Sequence, residues 1–317
     1  MKWEHLTLAD ARPLAELLDA METVDHTGVV HSADEVAGHL SSPLLDLAEG
    51  TLAAWEGDRL VAFGQLPVMQ SAPETHAMRL WGGVHPDHRH RGLGRRIVDW
   101  SLRAAPALSA RAFPGVPAEV HLTAHTTDPG AVALAEAAGF VQVRTFARMA
   151  CELPADLPAD LPAVRLPAGV SLVPWSPDLD EGARAVRNQS FRDHWGSVPH
   201  TPESWHAAIT GPSNFLPGSS FVALADGRAV GVLMTHHRET PAGERVAWIQ
   251  IVGTLREWRG KGVAGALLTH ALAAFTAQGY DTAGLGVDTA NPTGAVAVYE
   301  RAGFSIAHRS TVYSCAV

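Results

Sequence analysis

The sequence predicts an α/β fold, an α+β arrangement on mixed sheets, present as two related domains in tandem. Three observations carry this. A short glycine-rich pattern occurs twice, as Arg89-His90-Arg91-Gly92-Leu93-Gly94 and as Arg259-Gly260-Lys261-Gly262-Val263-Ala264. Each copy follows an apolar, strand-like run, and each is followed by Ala-Gly-Phe, at Ala138-Gly139-Phe140 and Ala302-Gly303-Phe304. Between the copies, residues 151–170 hold four prolines. A repeated strand, glycine turn, helix, strand and helix is the mark of a duplicated structural unit. Prolines fix φ and remove backbone donors, so the stretch between the copies reads as an extended, semi-rigid linker. The expected domains are therefore 1–150 and 171–317, joined by 151–170.

The elements follow the same order in each half. In the first, residues 10–21 show helical spacing of apolar residues, and Ser32 is a natural N-cap for a helix over 32–40. Strands are expected over 51–55, 59–65 and 76–84, the glycine turn and its helix over 89–104, and a strand over 119–125. A helix opens at Asp128-Pro129, and a last strand covers 141–149. In the second half the helices fall over 180–189 and 202–210, and strands over 220–225, 228–236 and 245–252. The turn and helix run over 259–278, then a strand over 282–287, a helix over 292–302 and a strand over 305–313. Gly57-Asp58 and Asp226-Gly227 mark hairpin turns at matching places.

Bulk properties exclude several classes. The 317 residues are 46% hydrophobic and 18% charged, as in a globular protein of two domains. A net charge of −9 argues against nucleic acid, which selects basic surfaces. The only cysteines, Cys151 and Cys315, make neither a disulfide framework nor a metal-ligand spacing, so no metal is expected. His85, His88 and His90 cluster beside Arg89 and Arg91, but no Cys or carboxylate completes a ligand shell there. The opening Met-Lys-Trp-Glu-His has no apolar signal core, and no apolar run approaches the ~18 residues of a membrane span. The expectation is a cytoplasmic protein, monomer or homodimer, that engages neither membrane nor nucleic acid.

The repeated turn carries the chemistry. Gly92 and Gly94 let the backbone bend tightly and approach a ligand. The helix that follows presents unpaired N–H groups and the positive end of its dipole, a ready site for a pyrophosphate. Arg89, Arg91 and Lys261 add cationic donors. The spacing fits neither a nucleoside-triphosphate loop nor a dinucleotide fingerprint.

The run from Val84-His85-Pro86 through Arg89-x-x-Gly92-x-Gly94 resembles motif A of the GNAT superfamily of N-acetyltransferases. Arg259-x-x-Gly262-x-Ala264 is similar, with Leu255-Arg256 where a proline is usual, and Asn291 through Phe304 resembles motif B. The resemblance covers nearly the whole chain, as two tandem GNAT acyl-CoA N-acyltransferase domains. It implies acetyl-CoA as cosubstrate, with pantetheine lying along the strand before the turn. Gly83, Val84 and His85 in the first half, and Ile251, Val252, Gly253 and Thr254 in the second, would supply those backbone contacts. The pyrophosphate would rest on Arg89, His90, Arg91, Gly92, Leu93, Gly94 and Arg95, or on Arg259, Gly260, Lys261, Gly262, Val263 and Ala264; Asn291 would add a cofactor contact.

The halves differ where the resemblance places the general acid that protonates the departing thiolate. Tyr299 stands there in the second half and Ala135 in the first, and a methyl group cannot donate a proton. A positioned acid contributes about 10²–10⁴-fold, so the second half is expected to be the catalytic one and the first cofactor-binding or structural. Family members often carry a glutamate base on the strand before motif A, but Val246 through Val252 holds no carboxylate. Asp193 and His194, in the segment expected to wall the acceptor, are the substitutes; an imidazole exchanges protons near neutrality. His236 and His237 are the second choice. The expected reaction is direct acetyl transfer from acetyl-CoA to a primary amine of a small molecule in a ternary complex. The competing class is a non-catalytic acyl-CoA-binding regulatory module.

Overall fold

The chain divides into two units: residues Met1–Thr145 with His308–Val317, and residues Phe146–Ala307. The computed structural model describes residues 1–27, 31–69, 72, 74–153, 166–192, 194–240, 242–290 and 294–317. The core of the expected linker, 154–165, lies outside the described residues, as do Asp193 and Asn291.

In the first unit β1 (Lys2–Glu4), α1 (Ala11–Asp25) and α2 (Ala33–Leu40) precede β2 (Thr51–Glu56), β3 (Arg59–Gln65) and β4 (His76–Val84). The helix α3 (Leu93–Ala112), β5 (Ala118–His125) and α4 (Pro129–Ala137) follow. Strands β1 to β4 are antiparallel neighbours, and β4 lies parallel to β5. A parallel pair needs a crossover, which α3 provides. Alternate residues of the sheet serve opposite faces. Ala53 and Phe63 pack with Leu14, Leu17, Val36 and Leu40 of α1 and α2, while Ala54 and Ala62 pack with Leu93 and Ile97 of α3. Ser32 caps α2 as expected, its hydroxyl accepting the Glu35 N–H at 3.2 Å. α3 runs past the expected end at 104, through Pro106 to Ala112. Pro106 is exposed, whereas Ala105, Leu108 and Ser109 beside it are buried, and that packing offsets the lost backbone bond.

The second unit repeats the plan. It contains part of β6 (Val141–Glu152), then β7 (Val170–Pro174), α5 (Asp180–Ser190), α6 (Pro202–Trp205), β8 (Phe221–Ala225) and β9 (Arg228–Glu239). β10 (Arg245–Thr254), α7 (Val263–Ala277), β11 (Thr282–Asp288), α8 (Ala295–Arg301) and β12 (Ser305–Ala316) complete the chain. β7 to β10 are antiparallel neighbours and β10 is parallel to β11. Asp226 and Gly227 both have positive φ, +49° and +74°, the backbone of a type I′ hairpin turn. The helix expected over 202–210 is α-helical only to Trp205. It widens to a π-turn over His206–Thr210, with the Gly211 N–H on the His206 carbonyl at 2.7 Å.

Two short strands, β1 and β7, were not expected. Three residues are too few to show a period, and β7 ends in a proline beside the proline-rich stretch. A larger feature concerns the final strand of each repeat. Residues Phe146–Glu152 of β6 pair antiparallel with β11, in the second unit. Residues Ser310–Ala316 of β12 pair antiparallel with β5, in the first unit. Cys151 and Glu152, placed in the linker by sequence, are thus strand residues.

Candidate functional site

The site grows out of an interruption in one strand pair. β10 and β11 are in register from Val246↔Thr282 to Ile249↔Leu285. The pairing of β10 with β9 then slips between Ile249 and Ile251, a bulge at Gln250. Beyond it β10 continues to Thr254 paired with β9, and β11 continues to Asp288, but the two are no longer in register with each other. The backbone of Ile251–Thr254 therefore has one edge open. Val252, Gly253 and Thr254 line a cavity of about 630 Å³ there. Among the described residues the buried Thr254 hydroxyl has no hydrogen-bond partner, a cost that a polar ligand at this edge would remove.

At the far end of the cavity sits the glycine turn. Gly260 and Gly262 have φ of +71° and +87°, a region that costs L-residues roughly 1–2 kcal/mol. Gly262 occupies the N-cap of α7 and offers no side chain to its first turn. The open N–H groups of a 15-residue helix point into the space that Gly262, Val263, Ala264 and Gly265 line. Lys261 is exposed, its ammonium 4.8 Å from the Trp258 ring. In the first unit the same turn has His90 and Gly92 at φ +60° and +80°, and Gly92 N-caps α3.

Arg89 and Arg259, the first arginine of each turn, are tied into the protein. Arg259 Nε donates to the Thr254 carbonyl at 3.3 Å and Nη2 to the Ser190 carbonyl at 2.9 Å. Arg89 Nε donates to the Val84 carbonyl at 3.3 Å, and its two Nη groups grip Asp25 at 2.7 and 2.6 Å. That carboxylate pushes the Arg89 guanidinium pKa up. Arg91 and Arg95 are exposed, Arg95 pairing with Asp99 at 2.8 Å. His85 is buried, accepting from Arg59 at 2.5 Å, while its backbone N–H donates to the Val61 carbonyl at 2.8 Å. Burial, then the Arg59 charge, pushes the His85 pKa down.

Tyr299 lies on α8 and faces the same cavity. Among the described residues its hydroxyl has no hydrogen-bond partner. Desolvation pushes its pKa up to about 12, so the phenol keeps its proton at any physiological pH. Ala135, its counterpart, is fully buried. His194 lines the cavity too, beside Phe191, ring centroids 5.3 Å apart. Its Nδ1 is 3.1 Å from the Trp195 carbonyl. A carbonyl only accepts, so Nδ1 donates there.

The structure thus brings Val252, Gly253, Thr254, Arg259, Gly260, Gly262, Val263, Ala264, His194 and Tyr299 to one cavity; Ile251 and Lys261 do not line it. Neither do His236 and His237. His236 is buried with Nε2 on the Ile209 carbonyl at 2.8 Å, and His237 packs on Tyr280 at 5.7 Å. Sequence reasoning missed Ser190, Gln250, Trp258 and Asp288, which also line the cavity. Asp288 is 2% exposed at the end of β11, its Oδ1 accepting the Ala290 N–H at 2.9 Å. Only its place on the splayed strand, absent from any sequence pattern, could have flagged it. Among the described residues no group of His, Cys, Asp or Glu could hold a metal, and no helix is long and apolar enough to cross a membrane.

A splayed parallel pair, a glycine turn opening a helix, and a tyrosine and a histidine lining one cavity make up the site. The sequence profile described as "Acetyltransferase (GNAT) family" matches residues 15–140 and 184–304, and the chain belongs to that family of acetyltransferases. It is 32% identical over 295 residues to a mycothiol acetyltransferase of Cellulomonas flavigena, covering 90% of this chain and 80% of that protein. A mycothiol acetyltransferase of Streptomyces coelicolor is 30% identical, over 94% of this chain and 91% of its own. Among solved structures, a GCN5-related N-acetyltransferase from Sphaerobacter thermophilus superposes with a TM-score of 0.77 at 27% identity, covering 99% and 95% of the two chains. A tandem GNAT protein from the clavulanic acid biosynthesis pathway shares the fold, with a TM-score of 0.73 at 20% identity over 99% and 98%.

Proposed function

We propose that the second unit transfers an acetyl group from acetyl-CoA to a primary amine of a small molecule. The observation that supports this most is the convergence of the open β10 edge, the glycine turn, His194 and Tyr299 on one cavity. The residues suit acetyl-CoA: the edge of Val252–Thr254 and the lone Thr254 hydroxyl for amides of the pantetheine, the α7 N-terminus for its pyrophosphate. His194 Nε2 takes a proton from the ammonium of the acceptor. The amine lone pair then attacks the thioester carbonyl directly, with the two substrates held together. Tyr299 donates its hydroxyl proton to the departing thiolate, a role that its raised pKa keeps available. The first unit has the turn without the acid, so we read it as cofactor-binding or structural. The expected setting is the cytoplasm.

Acetyl-CoA consumption against a panel of amines tests the reading. Turnover that falls about 10²–10⁴-fold in Tyr299→Phe supports it; tight CoA binding with no turnover on any amine returns the binding-module class. A second reading names the acceptor: the amine of the mycothiol precursor, which would make the chain a mycothiol synthase. The relatives of about 30% identity along most of the chain favour it. The absence of a carboxylate on β10 weighs against it, since that strand is where family members often hold their base. A preference for that precursor over simple amines in kcat/KM decides between the two.

A further inference from the structure

Gln250 stands at the bulge of β10, lines the cavity, and has its amide already oriented. Trp248 Nε1 donates to Gln250 Oε1 at 3.1 Å. An indole N–H only donates, so the amide oxygen is the end that meets it and Nε2 is the end left over. Among the described residues Nε2 has no hydrogen-bond partner.

Trp248 is itself held. Its ring lies against β11 where that strand carries no side chains: a methyl group at Gly284 would stand 2.8 Å from Cε3 and 3.0 Å from Cζ3, and one at Gly286 would stand 4.0 Å from Cζ2. The Arg238 guanidinium lies 4.0 Å from the ring centroid and that of Arg148 lies 5.1 Å away. All of these residues belong to the second unit. Ordering a free glutamine costs rotamer entropy, and the bond to Trp248 bears part of that cost before any ligand arrives.

Register says which face of the sheet this is. Residues paired across an antiparallel ladder share a face, as do alternate residues of one strand. Val232, Met234 and His236 of β9 pair with Gly253, Ile251 and Trp248. Gly253 has Ser190 of α5 over it, so Trp248 lies on the face that α5 covers, and its bond draws the Gln250 side chain there. Phe191 and His194 follow α5 in the chain and line the same cavity.

We propose that Gln250 selects the acceptor: its Nε2 donates to an oxygen, of a hydroxyl or a carbonyl, that the amine substrate carries close to its amino group. The substrates are then amino alcohols or aminoacyl amides, ahead of plain alkylamines. The proposal rests on the acetyl-transfer reading of the second unit and adds to it the chemistry beside the amine. A neutral hydrogen bond of this kind sets a preference of about tenfold.

Three amines with a single ammonium test it on the full chain: 2-aminoethanol, glycinamide and n-propylamine. Each is measured as kcat/KM at saturating acetyl-CoA and as Kd by calorimetry with CoA present. The ratio of each oxygen-bearing amine to propylamine is divided by the wild-type ratio, which cancels differences in amine basicity and in the folded fraction. Gln250→Leu is expected to lower both ratios about tenfold. Trp248→Phe, which keeps a ring over Gly284 and removes the orienting donor, should lower them about threefold. Gln250→Glu should separate the two oxygens, because a carboxylate accepts from a hydroxyl and repels a carbonyl: the glycinamide ratio falls about tenfold and the aminoethanol ratio stays within about threefold. Unmoved ratios in Gln250→Leu overturn the proposal, and a common loss of rate on all three amines would then place Gln250 at the thioester instead. A wild type that binds acetyl-CoA and consumes it with no amine sinks the transferase reading, and the Kd ratios still decide whether Gln250 reads the oxygen.

Discussion

Arg259 binds the carbonyl of Ser190 through Nη2 at 2.9 Å while its Nε holds the carbonyl of Thr254 at 3.3 Å. One guanidinium thereby joins the end of α5 to the end of β10, on either side of the cavity. Arg89 does the corresponding work in the first unit, between Val84 and Asp25. Arg89 and Arg259 are tethers, which leaves the helix N-terminus, with the exposed Arg91 in the first turn and Lys261 in the second, to attract an anion.

Arg259→Ala should accordingly act through geometry. Loss of two hydrogen bonds from a charged donor is expected to cost about 1–3 kcal/mol and to lower the second unit's melting temperature by several degrees. With Ser190 and Thr254 released, kcat should fall about 10- to 100-fold. An Arg259→Ala protein with wild-type kcat and a raised KM for acetyl-CoA alone would instead make Arg259 a direct phosphate ligand.

Tyr299 sets the alkaline behaviour. Its pKa is raised to about 12, so the rate should show no loss from phenol ionisation near the ordinary value of 10. The sign for stability follows. The fold favours the neutral phenol, so its contribution is complete below 10 and is lost as pH rises from there to about 12. A rate profile that falls with an apparent pKa near 10 in the wild type, but not in Tyr299→Phe, would show that the phenol is more hydrated than the cavity implies.

Four histidines make the protein acid-sensitive. Burial pushes down the pKa of His76, His85, His200 and His236, with the charge of Arg59 adding at His85 and those of Arg187 and Arg184 at His200. His76 shows why: Nε2 accepts the Met69 N–H at 3.1 Å and Nδ1 bonds the Ser109 hydroxyl at 2.8 Å, an arrangement that uses the neutral ring. The folded chain holds fewer protons than the unfolded one. The stabilisation is full above the ordinary value of 6.5 and is lost as pH falls from there towards the lowered values. Urea midpoints should drop as pH falls below the ordinary histidine value of 6.5; a constant midpoint would contradict the assignment.

Neither half should fold well alone. A fragment ending at residue 150 lacks Ser310–Ala316, which pair with β5, and one beginning at 171 lacks Phe146–Glu152, which pair with β11. Each fragment would expose an interior strand as an edge, a template for aggregation. Separate expression should give insoluble or molten material, and circular dichroism with melting curves checks this. A cooperative melt from either fragment alone would show that the final strand is dispensable.

Much of the plan is legible in the sequence. The glycine turns are, because only glycine takes positive φ cheaply at Gly92 and Gly262. So are the N-cap at Ser32 and the hairpin at Asp226-Gly227, where the local chain dictates its own geometry. The difference between Tyr299 and Ala135 is also a local fact. Asp288 and Gln250 are not legible as site residues, since nothing near them in sequence says that β10 and β11 diverge after Ile249 and Leu285. Nor did any pattern predict which unit receives the last strand of each repeat, because pairing is decided by partners distant in the chain.

By itself the sequence determined the duplication, the order of elements, the turns that could hold a pyrophosphate and the half that carries a phenol. Only the tertiary structure decided which groups meet. It committed Arg259 to carbonyls and Arg89 to a carbonyl and a carboxylate, brought His194 to the cavity that Tyr299 lines, and set Ser190 over one glycine and Met21 over the other. The reason is physical. Backbone conformation at a glycine or a cap is a local energy, whereas a hydrogen bond or a steric fit across the fold exists only once packing has brought the partners together.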